Sequence, residues 1–125
     1  HSLLQVRQKV FGSYDKWWSM EPPGVNRLKT LPAHEQVIEQ IRHIYTTINN
    51  DLEESHVHPS RCLHINYEDF CANPDLHVQK FQSFLATNGC IVERARAVPD
   101  SFQMRKEIQI DPELYSQMVN YVNAN

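Results

Sequence analysis

Two short stretches gather much of the positive charge. Residues 1–16 carry Arg7, Lys9 and Lys16 against Asp15, a local +2, and residues 94–106 carry Arg94, Arg96, Arg105 and Lys106 against Asp100, a local +3. The chain as a whole is −3, so −8 resides elsewhere. Basic patches on an acidic chain make an anion site where they converge and solvated surface where they do not; pattern alone favours the second. The overall acidity argues against a general nucleic-acid binder. His56, His58 and His64 complete no typical zinc set with cysteine or carboxylate, so no metal is expected. Trp17–Trp18, taken alone, reads as packing. Glu68–Asp69 sits between a predicted strand and a predicted helix, where carboxylates cap backbone amides more readily than they exchange protons.

Glycine narrows the chemistry further. Only Gly12, Gly24 and Gly89 occur, where average usage gives roughly nine. Three scattered glycines build neither a Walker loop nor a dinucleotide fingerprint, both of which press clustered amides against phosphate. Any nucleotide chemistry must use side chains. Cys62, Cys71 and Cys90 are odd in number and lack CxxC spacing, which fits reduced thiols in a cytoplasmic protein. No apolar run approaches the roughly 20 residues that span a bilayer, so no membrane partner is expected.

The elements that must position these residues are mostly helical. The 125 residues, 41% apolar and 22% charged, suit one folded domain and argue against disorder. Leu3, Leu4, Val6, Val10 and Phe11 recur at helical spacing, with Gly12 placed for a left-handed C-terminus. Residues 12–32 have no period but contain Trp17, Trp18 and Met20, so a long, ordered, packed loop is predicted. Val37, Ile41, Ile44, Ile48 and Leu52 mark an amphipathic helix from Ala33 to about Glu54. Arg61–Tyr67 alternates like a strand, with Leu63, Ile65 and Tyr67 on one face. Asn73-Pro74-Asp75 and Asp111-Pro112-Glu113 each combine a capping side chain with proline at the first helical position, predicting two further helices. Residues 90–110 are irregular. One strand leaves its backbone groups without partners, so residues 90–110, another chain or an upstream half of the domain must pair with it.

The segment Leu63-His64-Ile65-Asn66-Tyr67-Glu68-Asp69-Phe70, then Asn73-Pro74 and a helix closing in Phe84-Leu85, resembles the sulfotransferases that use 3′-phosphoadenosine 5′-phosphosulfate (PAPS). Ser2-Leu3-Leu4, Trp17-Trp18-Ser19 and Pro22-Pro23-Gly24 resemble the bacterial-type branch, and the likeness covers most of residues 2–88. It implies an α/β, P-loop-like sulfotransferase domain, represented here by a mostly helical partial domain over residues 1–125 with one strand at 61–67. It also implies that Ser2 contacts the cofactor's 3′-phosphate and that Tyr67 lies near the adenosine. Met104-Arg105-Lys106 is similar to the phosphate-binding Met-Arg-Lys of cytosolic members, which would make Arg105 and Lys106 ligands. Those members continue with glycine; this chain has Glu107, whose charge opposes phosphate. The family's sulfate-cradling loop, first strand and usual catalytic base are not among these residues. Sulfuryl transfer depends on such positioned cations and amides, so the expectation is adenosine 3′,5′-bisphosphate binding without turnover. The other expectation is a free-standing, mostly helical interaction module that self-associates through strand 61–67 or the Trp17–Trp18 loop.

Overall fold

A computed structural model describes residues 1–104 and 107–125. The chain divides into two compact units. One combines residues 1–54 with 107–125; the described part of the other is residues 55–104.

The first unit is built around helix α3, Ala33–Glu54. Helix α1, Ser2–Phe11, packs on it and ends as predicted: Gly12 is left-handed at φ 66° and returns its amide to the Gln8 carbonyl at 2.9 Å. The loop that follows contains one short helix, α2, Val25–Leu28, whose Leu28 is buried. Gln40 of α3 holds the loop in place by donating to the carbonyls of Trp18 and Met20 at 3.0 and 2.8 Å. The buried side-chain amides of Gln36 and Gln40 thus engage the carbonyls of Trp18, Met20, Lys29 and Leu31.

The last helix, α6, spans Pro112–Ala124 in the same unit. Asp111 Oδ1 accepts from the amides of Glu113 and Leu114 at 2.9 and 3.1 Å, so the Asp-Pro-Glu signal works as predicted. Leu4, Ala33, Val37 and Ile110 form the buried core, with Leu3, Tyr14, Leu114, Tyr115 and Met118 packed around it. Full burial of a leucine, valine or isoleucine among them contributes about 1.5–3 kcal/mol. The core takes only the first half of α3. From Ile41 onward, none of its side chains is buried.

The second unit corrects the strand. Among the described residues no strand forms. A 3-10 turn at Pro59–Arg61 leads into extended backbone at Cys62, and residues 62–66 pair with no neighbour as a ladder. The alternation at Arg61–Tyr67 is real, yet alternation alone supplies no partner for the amides and carbonyls. Asn66 then ends the extended run by capping: its Oδ1 accepts from Glu68 and Asp69 amides at 2.9 and 3.1 Å. Tyr67 is thus the first residue of helix α4, Tyr67–Ala72, and not the end of a strand. Glu68 and Asp69 occupy its first turn, where they favour the helix dipole, while Asn66 does the capping.

Helix α5, Pro74–Thr87, starts where Asn73-Pro74 predicts, but the Asn73 side chain makes no capping bond. Its backbone is already engaged closing α4, with the amide donating to the Asp69 carbonyl at 3.0 Å. Within this unit Phe102 stacks on Phe70 at 5.7 Å, and its amide donates to the Cys71 carbonyl at 2.8 Å. Residues 90–104 are irregular as predicted and supply no strand. The mostly helical expectation stands for the described residues.

Candidate functional site

The first basic patch is not a free cationic surface. Arg7 is fully buried, its Nη1 donating to Gln36 Oε1 at 2.8 Å and to the Tyr14 carbonyl at 3.1 Å. Its guanidinium also lies 5.3 Å from the Trp17 ring centre, and the Lys29 ammonium lies 5.7 Å from the same ring. Trp17 is therefore a half-buried platform for two cations, which bears out the packing reading of that residue. Burial lowers the Arg7 pKa from its ordinary value, and the Asp15 charge works in the opposite direction. Lys16 rests over Phe11 at 5.6 Å. Sequence spacing counts Arg7 among surface charges; its i, i+3 relation to Leu4 on the same face of α1 is the signal that places it inside.

Ser2 is the exposed first residue of α1. The first turn contains no acidic residue, and the first intrahelical amide is that of Gln5, bonding to the His1 carbonyl at 3.0 Å. Tyr67 belongs to the second unit and is exposed. A hydrogen bond with the Cys71 thiol, one turn along α4, raises the Tyr67 pKa, and burial and the Glu68 charge add to the rise. Arg105 and Lys106 lie outside the described residues. In the same stretch, Arg94 is spent on Asp75, with which it forms a short ion pair.

One cluster has no counterpart in the sequence reading. Gly24, Arg27, Leu28, Leu31, Glu39, His43 and Tyr121 line a cavity of about 300 Å³ in the first unit. At its wall the Tyr121 hydroxyl donates to Glu39 Oε1 at 3.2 Å, and Arg42 Nη1 donates to the same oxygen at 2.8 Å. Arg42 also lies over the Tyr121 ring at 5.8 Å. Burial, then the Glu39 carboxylate, raise the Tyr121 pKa. Glu39 and His43 stand four residues apart, the one hint the sequence offers; Tyr121 arrives only through the packing of α6 on α3.

Among the described residues, no three His, Cys, Asp or Glu side chains gather as metal ligands. His58 instead engages Ser60, Nδ1 lying 2.8 Å from its hydroxyl. Cys62, Cys71 and Cys90 are unpaired. Among the described residues no helix is long and apolar enough to cross a membrane. Comparison of the chain with protein-family models, with curated proteins and with solved structures finds no match.

Proposed function

We propose that this chain is the 3′-phosphoadenosine-binding half of a sulfotransferase-like α/β domain in a cytoplasmic setting. It would bind PAPS or adenosine 3′,5′-bisphosphate as part of an enzyme passing a sulfuryl group to a hydroxyl or amine. The observation that supports the reading is Ser2: its hydroxyl is exposed on α1, and the turn that follows carries no acidic side chain. An exposed hydroxyl with no neighbouring acid can donate to a phosphate monoester, and it falls on the residue that the resemblance to sulfotransferases assigns to the 3′-phosphate. Tyr67, Arg105 and Lys106 take the adenosine and phosphate roles by the same resemblance. The residues present hold no sulfate cradle, so binding without turnover is the expected behaviour.

Calorimetric titration with adenosine 3′,5′-bisphosphate, with adenosine 5′-monophosphate as control, tests this reading. The bisphosphate should bind more tightly, and Ser2→Asp should abolish the difference by placing a carboxylate where the 3′-phosphate would sit. Equal binding of the two nucleotides, or indifference to Ser2→Asp, overturns it. Sulfate transfer catalysed by this chain alone would overturn the prediction that it lacks turnover.

A second reading, a helical self-associating module without catalysis, is favoured by the solvent-facing Trp18 in the loop between α1 and α3. Its edge contact with Phe11, at 5.9 Å between ring centres, leaves part of the indole open.

A further inference from the structure

We infer that the second half of α3 is a homodimerisation surface, on which a second copy of this chain docks its own α3 in antiparallel orientation. Ile41, Tyr45 and Ile48 are 43%, 65% and 46% exposed, large values for apolar side chains repeating at helical spacing. At about 100° per residue these three and the partly buried Ile44 form one stripe. Met20, Pro22 and Pro23 border it along Ile44 and Ile48, forming an apolar groove of about 310 Å³ and widening the apolar surface beyond the helix. Isolated apolar residues on a surface need no account, but a contiguous stripe of this kind marks an interaction site.

The charges say which partner fits. Arg42, Asn49 and Glu53 run along one edge of the stripe, with the cation at its start and the anion at its end. When two such helices meet antiparallel about a two-fold axis, the same edges face each other. In the register that sets Tyr45 of each copy opposite Ile48 of the other, Arg42 comes within two residues, about 3 Å of helix rise, of Glu53 of the partner. A parallel pairing would instead set this edge against the opposite edge of the partner, where Glu53 meets Asp51 and no Arg42–Glu53 pair forms. Arg42 keeps donors beyond the Nη1 that serves Glu39, while Glu53 has no ion-pair partner among the described residues. The pattern is self-complementary, as an isologous interface requires. The surface is one helix face and its bordering groove, so the dimer should be reversible. The inference is independent of nucleotide binding.

Sedimentation velocity of the intact chain over a concentration series reads the association directly. A monomer–dimer equilibrium that added salt weakens is expected. Ile48→Glu should leave a monomer at every concentration, with far-UV circular dichroism unchanged because the side chain already faces solvent. Glu53→Arg should weaken the dimer about tenfold by setting arginine against Arg42 of the partner. Adding Arg42→Glu should restore it; because Arg42 also packs on Tyr121, circular dichroism checks the double variant, and Glu53→Arg with Ile48→Glu decide the matter if it misfolds. A monomer at all concentrations, or a dimer indifferent to both Ile48→Glu and Glu53→Arg, overturns the inference.

Discussion

Arg7 and Gln36 meet at 2.8 Å with neither open to solvent, so the contact that ties α1 to α3 is a cation on a neutral amide. Gln36 serves two further ends: its Nε2 donates to the carbonyls of Leu31 and Lys29 at 2.7 and 3.3 Å. No carboxylate compensates the buried charge directly, and Nε and Nη2 have no protein partner among the described residues. Gln36→Leu should therefore cost about 3 kcal/mol, since it strips a buried charge of its acceptor and two carbonyls of their donor. Arg7→Met in the same chain should return part of that loss, because the uncompensated charge is then gone. Urea denaturation of the two single variants and the double variant measures the coupling; strictly additive losses would contradict it.

The capping exchange at Asn66 supports a second prediction. One side-chain oxygen receives two amides and decides that Tyr67 begins a helix. Asn66→Ala should destabilise the second unit by about 1 kcal/mol, while Asn66→Asp should hold or improve it by placing charge at the helix start. Amide exchange at Glu68 and Asp69 localises the effect: both should exchange faster in the alanine variant and not in the aspartate variant.

Local signals made the helices legible. Gly12, Pro74 and the Asp111–Pro112 pair act within one turn of themselves, and each sits where its chemistry demands. The strand at Arg61–Tyr67 failed for the opposite reason. Its alternation describes side-chain faces, but a strand exists only through a neighbour, and the sequence of one segment contains no information about that neighbour. Asn66 was visible all along as a capping residue three positions ahead of Asp69, and its local chemistry prevailed over the period-two pattern.

The candidate site was legible in the same uneven way. The helix that carries Ser2 follows from the spacing of Leu3, Leu4, Val6, Val10 and Phe11. The burial of Arg7 and the meeting of Glu39 with Tyr121 do not, since they depend on how α1 and α6 pack on α3. The apolar period of α3 runs unbroken from Val37 to Ile48, yet Val37 is buried and Ile48 is not. Periodicity marks the face and is silent on what covers it.

A third prediction concerns alkaline pH. Tyr121 has its pKa raised by burial and by the Glu39 carboxylate that accepts its proton in a hydrogen bond. A raised folded pKa means that the neutral phenol favours the fold. The contribution is whole below the unfolded value of about 10 and is lost as pH rises through the folded value. Tyrosinate absorbance should show a late-titrating phenol that disappears in Tyr121→Phe. The variant's stability should also fall less steeply than the wild type's above about pH 10.

Asp75 carries the opposite sign. The Arg94 ion pair and then the Gln79 amide, 2.6 Å from Oδ2, hold its carboxyl below the ordinary range. A depressed folded pKa stabilises the fold above the unfolded value of about 3.9, and that stabilisation is lost as pH falls through the folded value. Both side chains are partly open to water, so the effect is modest and salt should weaken it. Asp75→Asn should lower stability near neutral pH, and its deficit against the wild type should shrink steadily as pH falls below about 4. Arg94→Gln should behave alike while leaving the Gln79 contact in place, so its deficit should be the smaller of the two. A deficit that stays constant across that range would show that Asp75 matters there through packing and not through charge.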